Sequence, residues 1–327
     1  MKRQTIALLF CGGTQLTNRP NRWERVMKPK DAAEWLDHVP ELNIVADIVP
    51  HFIAPSEDSN IGIDTWRMIA DYVRANVKSV DGVLVLHSNE TIHYAANALS
   101  LMMRNLPIPV VLSGSPIRTG AKGEVSVEFG ARANVINALQ VATSDIAEVC
   151  VVFGNRIMRG SRVQLELIGD ALHVTTVDRS LLGRIDFGIS LDRERIRRTK
   201  RTPVFRSAID PNVFTMTTAP GSVLPIRRAV EAGIHAILVR SAQDFLALTA
   251  EQIGELQRAA RSGIPVVVAS PQPMKTLSKE FMPLVGVSSS MAVVKTMWAI
   301  GFSKKRSALQ RVLAQNVAGE HVYGGGA

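Results

Sequence analysis

Between Leu84 and Thr91 an apolar run breaks off into His87-Ser88-Asn89-Glu90-Thr91. A hydroxyl, an amide and a carboxylate in three consecutive residues supply donors, acceptors and a negative charge, a set suited to a polar small-molecule site. The run before them, Gly82 to Leu86, reads as a buried parallel strand. After them Ile92, Ala95, Ala96, Leu99, Met102 and Met103 recur at spacings of three and four, which predicts a helix. Ligands of open α/β sheets bind at the carboxyl ends of such strands. A second strand end repeats the arrangement: Ile6 to Phe10 is apolar, and Cys11-Gly12-Gly13-Thr14-Gln15 follows. Paired glycines let the backbone turn sharply and bring its N–H groups close to a ligand. Thr14 adds a hydroxyl, which is a weak nucleophile until a neighbouring group activates it.

Each of these residues also has a purely structural reading. Thr14 can cap a turn. Asn89 is a good helix N-cap, and an acid such as Glu90 suits the positive end of a helix dipole. Ser56-Glu57-Asp58-Ser59-Asn60 has turn-forming composition. His87 reads as a strand-end histidine satisfied by its neighbours, or as the partner of Cys11 in a thiolate–imidazole pair. Arg22, Arg25 and Arg118 are loop charges with the right sign to meet a carboxylate.

The elements that position these groups alternate. Strand patterns at Ile6–Phe10, Asn43–Val49, Val83–His87, Val110–Ser113 and Val149–Phe153 are interleaved with helical patterns at Asp31–Asp37, Asp64–Val77, Ala131–Ala142 and the helix already described. This order argues for a doubly wound, mostly parallel sheet with helices on both faces. Arg159 to about Ile189 reads as hairpins, for example Leu172-His173-Val174-Thr175-Thr176-Val177. A smaller α/β pattern follows. It has strands at Phe214–Met216, Ala236–Val239 and Val266–Ala269, and helices at Ile226–Ala232, Thr249–Arg261, Met291–Ile300 and Ser303–Ala314. The expected organisation is an α/β domain over 1–190, a charged linker over 191–212 and a smaller α/β domain over 213–327, with Gly324–Ala327 a disordered tail.

The chain has 327 residues, 46% of them apolar, and carries a net charge of +9. Its basic residues cluster at Arg193–Arg201 and Lys304-Lys305-Arg306 without interleaved aromatics, which are 5% overall. With no P-loop, zinc spacing or recognition helix beside it, that charge reads as a solvated linker rather than a nucleic-acid site. No apolar run has the roughly 20 residues of a membrane helix, and the short one after Met1 is read as the first strand rather than a signal peptide. Cys11 and Cys150 read as buried free thiols. A cytoplasmic protein is expected.

Several of these motifs resemble one family over nearly the whole chain: the bacterial and archaeal L-asparaginases and the related amidase subunits of tRNA-dependent amidotransferases. Cys11-Gly12-Gly13-Thr14 is similar to that family's Thr-Gly-Gly-Thr strand end, and His87-Ser88-Asn89-Glu90-Thr91 to its His-Gly-Thr-Asp-Thr. Tyr94–Ser100, Pro109–Ser115 and Asn134–Leu139 are similar to the helices and strand that follow. The resemblance implies an asparaginase-like two-domain fold. It also implies hydrolysis of a side-chain amide to an acid and ammonia, without a cofactor or a metal. Thr14 matches the nucleophile, Asn89 and Glu90 fall on the second catalytic threonine and its aspartate, and Ser56-Glu57 on the substrate-gripping Ser-Gln pair. Gly13, Ser88 and Ser115 become further substrate contacts. The family's lysine falls on Leu165, which takes no proton, and its lid tyrosine has no counterpart between Leu16 and Lys30. The resemblance thus implies an amidohydrolase of altered preference for a small amino-acid-like substrate. The alternative is a catalytically impaired relative that binds or senses such a ligand. It further implies a dimer or dimer of dimers with sites near the subunit interface.

Overall fold

Six consecutive buried residues, Ile6 to Cys11, make Thr5–Cys11 an interior strand, β1, of the larger sheet. The computed structural model describes residues 3–12, 14–19, 22–26, 28–53, 62–114, 127–168, 171–200, 202–221, 224–242 and 245–322. For 14–19, 22–25, 127–131, 168, 171 and 172 it gives the backbone alone. The chain forms two units, Met1–Ser207 and Ala208–Ala327, with the boundary inside the 191–212 segment.

In the first unit β1 is followed by a hairpin, β2 (Thr14–Arg19) and β3 (Arg22–Val26), then α1 (Pro29–Asp37), α2 (Leu42–Val45), β4 (Asp47–Ile53) and α3 (Ile63–Asn76). Next come β5 (Gly82–Leu86), α4 (Ile92–Met102), β6 (Met103–Arg104), β7 (Val110–Ser113), α5 (Val127–Ala142) and β8 (Val149–Phe153). Short strands close the unit: β9 (Arg156–Arg159), β10 (Val163–Ile168), β11 (Ala171–Thr176), β12 (Gly183–Ile185), β13 (Ile189–Leu191) and β14 (Val204–Phe205). Eight strands form one sheet in the order β13-β12-β9-β8-β7-β5-β1-β4, parallel from β8 to β4 and antiparallel beyond β8. Side chains alternate across it. Ile6, Leu8, Phe10, Leu84 and Leu86 join Trp35 of α1 and Val135, Ala138 and Leu139 of α5 in one core. Helices α3 and α4 cover the opposite face. The fold is therefore α/β and doubly wound, with a mostly parallel sheet.

The chain leaves β1 for β4 on one side and returns to β5 on the other. Connections that depart in opposite directions leave a crevice between the carboxyl ends of β1 and β5, the switch point where ligands of such sheets bind. The register pairs Phe10 with Leu86, so Cys11 and His87 emerge side by side.

Three expectations are corrected. The strand read at Asn43–Val49 begins at Asp47, and Leu42–Val45 is a single helical turn whose Ile44 is exposed. β4 is an edge strand with a mixed burial pattern, so its apolar spacing does not mark its start. Thr14 opens a strand and pairs with Val26, where a loop was expected. The basic segment is not simply a solvated linker: Arg198 donates to the carbonyls of Ser144, Asp81 and Ala142, and Arg195 pairs with Asp145 at 3.2 Å. The Arg198 guanidinium satisfies carbonyls at the end of α5, Ala142 and Ser144, and the Asp81 carbonyl just before β5.

The second, smaller unit has four parallel strands in sequential order: β15 (Val213–Thr217), β16 (Ala236–Arg240), β17 (Val266–Ser270) and β18 (Met282–Val285). Its helices are α6 (Ile226–Glu231), α7 (Ala250–Arg261), α8 (Ser289–Phe302) and α9 (Arg306–Ala314). Thr249 caps α7 in a full capping box with Gln252, the N-terminal signal present in the sequence. β18 was not expected, because Pro283 interrupts its short run.

Candidate functional site

The crevice is built from two loops. Gly12 N–H bonds to the Ile53 carbonyl at 3.2 Å, extending the β1–β4 ladder one residue past the strand. On the other side His87 N–H bonds to Ser113 O at 2.9 Å and extends β5 against β7. The chain then turns through Ser88, Asn89 and Glu90 into α4, whose N-cap is Thr91. Asn89 is thus not the helix cap, and neither its side chain nor that of Thr91 caps the helix.

Asn89 is buried, with 8% exposure. Its Oδ1 has no hydrogen-bond partner. The amide lies against the exit of β7: a Cβ on Gly114 would fall 2.3 Å from Asn89 Oδ1 and 2.5 Å from His87 O. The same short segment holds three more buried polar atoms without partners: His87 Nε2, Thr91 Oγ1 and His93 Nδ1. Native proteins leave few such atoms per hundred residues, so this concentration singles the turn out as the candidate site. Glu90 is exposed and accepts a hydrogen bond from the buried Ser88 hydroxyl.

The histidines are neutral. His87 Nδ1 lies 2.8 Å from Ser88 O. A carbonyl only accepts, so the proton sits on Nδ1 and Nε2 presents a bare lone pair. Burial lowers His87 to about 4, against smaller opposing effects of Ser88 O and Glu90. Burial also lowers His93 to about 4, with a further contribution from His87. Cys11 is fully buried, and burial pushes its thiol pKa upward. It stays a thiol at neutral pH, so the thiolate–imidazole pair is not formed.

Of the residues singled out from the sequence, Ser88, Asn89 and Glu90 meet in one turn at the switch point. Thr14 begins β2 three residues past β1, with its side chain outside the described atoms. Gly13, Ser56, Glu57, Ser115 and Arg118 lie outside the described residues, and of Arg22 and Arg25 the backbone alone is described, in β3. Leu165 is half-buried on β10, paired with Val174. Among the described residues no cluster of three His, Cys, Asp or Glu could hold a metal ion, and no helix is long and apolar enough to cross a membrane.

The second unit has its own cleft, about 390 Å³, at the carboxyl ends of β15, β16 and β17. Thr217, Arg240, Ser241, Ser270 and Ser289 line it, and Arg240 bonds Thr217 Oγ1 at 2.9 Å while its Nε has no partner.

Residues 5–197 match the family described as asparaginase, N-terminal. The chain belongs to the asparaginase family. Over 98% of its length it is 25% identical to a glutamyl-tRNA(Gln) amidotransferase subunit of Methanosarcina barkeri, covering 79% of that protein. It is 29% identical to L-asparaginase 1 of Escherichia coli over 70% of the chain and 67% of that enzyme. The crystal structure of L-asparaginase I from Vibrio cholerae superposes with a TM-score of 0.80 at 24% identity, over 98% of this chain and all of that one. The thermostable L-asparaginase from Thermococcus kodakarensis gives 0.78 at 23%, over 98% of this chain and 99% of that one. This asparaginase-family chain keeps the fold of its relatives, and membership supports an amidohydrolase activity. Sequence reasoning passed over Gly114, Thr91 and Asn134 as site residues. Gly114 and Asn134 stood inside family-like runs, but no local pattern shows that one touches Asn89 and the other holds it there.

Proposed function

We propose that this member of the asparaginase family is an amidohydrolase acting on the amide of a small amino-acid-like molecule, asparagine or an altered relative. The observation that carries the reading is the unpartnered amide oxygen of Asn89, buried at the switch point beside the acid Glu90. In this reading Glu90 and Glu57 hold the substrate's cationic amino group, and Asn89 hydrogen-bonds the ligand where relatives present a hydroxyl. Gly13, Ser56, Ser88 and Ser115 complete the contacts. Thr14 is the nucleophile. Its oxygen adds to the amide carbonyl, and the C–N bond breaks. The hydroxyl proton leaves with the nitrogen as ammonia, and water then hydrolyses the ester to acid and free threonine. Backbone N–H groups near Gly13 and Asn89 stabilise the intermediate oxyanion. The protein works in the cytoplasm as a dimer or dimer of dimers.

Ammonia release from L-asparagine, L-glutamine and a panel of other amides tests this. Turnover of at least one amide, abolished in Thr14→Ala, is the expected result. Absence of turnover on every member overturns the reading. A second reading is favoured by Leu165 and Asn89 standing where relatives have lysine and threonine: a homologue that binds an amino-acid-like ligand without cleaving it. Calorimetric binding of L-aspartate by a protein that releases no ammonia would select it.

A further inference from the structure

We infer that Asn134 of α5 is a positioning residue for the Asn89 amide, acting through Gly114; this rests on the reading of Asn89 as a wall of the ligand site. Gly114 leaves no room for a side chain, because the space its Cβ would take is filled by Asn89 Oδ1 and His87 O. The α-carbon of Gly114 is therefore the surface on which the Asn89 amide rests, and a shift of the β7 exit shifts that amide.

Besides the ladder bond from His87 N–H to Ser113 O, two side-chain contacts hold the β7 exit among the described residues. Ser113 Oγ donates to Val152 O of β8 at 2.9 Å. Asn134 Nδ2 donates to Gly114 O at 3.2 Å. The other end of the Asn134 amide is occupied as well: Oδ1 accepts from Gly154 N–H at 2.8 Å. Gly154 has φ +58° in the turn between β8 and β9, and Asn137, one helical turn along α5, donates to its carbonyl at 3.0 Å. Asn134 is 3% exposed, so both contacts are shielded from water. One buried amide thus bridges a hairpin turn, held by two asparagines, to the residue under Asn89. A planar amide of fixed length transmits position, because neither end can move without breaking a shielded hydrogen bond.

The substitution Asn134→Asp separates this role from packing. It keeps the shape and the acceptor for Gly154 N–H, but it sets an oxygen against Gly114 O. Asn134→Ser is the milder variant should the first fold poorly. The readout is the side-chain NH2 resonance of Asn89, identified by its loss in Asn89→Asp. We expect it to move in Asn134→Asp or Asn134→Ser and in Gly114→Ala. It should stay in place in Asn137→Ala, which removes only the second grip on Gly154. Where wild type turns over an amide, kcat should fall by up to roughly 10²-fold, the cost of an ångström-scale misplacement, with KM nearly constant. An unmoved Asn89 signal in a folded Asn134 variant overturns the inference, and so does an equal movement in Asn137→Ala. Because the resonance needs no turnover, a protein that cleaves no amide refutes the amidase reading and still decides this one.

Discussion

Replacing Lys295 by methionine should destabilise the second unit by about 3–5 kcal/mol, the cost of leaving one member of a buried pair without its counter-charge. Lys295 and Glu320 are both fully buried, with Nζ 2.7 Å from Glu320 Oε1. Nζ also donates to Gln315 O at 2.7 Å and to His321 Nε2 at 2.9 Å, so the ammonium has all three protons engaged. Methionine fills similar volume but strands the carboxylate, which keeps the N–H groups of Val317 and Ala318 and the His321 ring 3.9 Å away but no cationic ammonium. Burial pushes Glu320 up, yet Lys295 and those two N–H groups outweigh it and hold the carboxyl below its ordinary value. The sign follows. A depressed carboxyl contributes stability that is present above its unfolded pKa and lost as pH falls below it. Hence wild type should lose stability below about pH 4.5, and Lys295→Met should lose it at neutral pH already. The assay is a urea titration with hydrogen exchange on α8. At roughly 4 °C per kcal/mol the midpoint of a thermal melt would fall by about 10–20 °C. Lys295→Met with Glu320→Gln removes the stranded charge and should recover most of the loss. A single-mutant loss under about 1 kcal/mol, or no recovery in the double mutant, would refute the reasoning.

Four further outcomes follow from the site and its supports. Asn89→Thr combined with Leu165→Lys installs the residue types that the resemblance implies for the asparaginases and should raise amide turnover by roughly 10²-fold or more, measured as ammonia release; an unchanged rate argues against Leu165 as the limiting difference. Arg198→Ala strips three backbone carbonyls of a charged donor and should cost about 2–4 kcal/mol in a urea melt. His87 and His93 are neutral when folded and depressed to about 4. Stability should therefore drop as pH falls from the unfolded value near 6.5 toward 4, with the slope reduced in His87→Gln. Cys11 and Cys150, both buried thiols, should resist alkylation until the protein unfolds, and Cys11→Ala should leave turnover unchanged.

Much of the fold was legible because it is locally encoded. The apolar run at Val149–Phe153 and the spacing of Trp66, Ile69, Ala70 and Val73 each specify an element through its own residues, and these appear as β8 and α3. Elements whose signal is shared with distant neighbours were misplaced. The start of β4 depends on pairing Asp47 with Thr5, and the β2–β3 hairpin on pairing Thr14 with Val26. Neither partner is marked by periodicity.

For the site, residue types were decided in the sequence: an amide, an acid and a hydroxyl after a buried strand, and glycines after another. The adjacency of β1 and β5, already assumed in pairing Cys11 with His87, is seen in the sheet order, and tertiary structure decided the opposite crossovers that bring the two strand ends to one switch point. It also decided that Asn89 does not cap the helix it precedes but rests on Gly114 with its oxygen unpartnered, and that Asn134 reaches Gly114 and Gly154 at once. Local periodicity tells a residue which face of its own element it occupies. Contacts between residues twenty or more positions apart arise only when the sheet order is set, and that order is a property of the whole packed core rather than of any one segment.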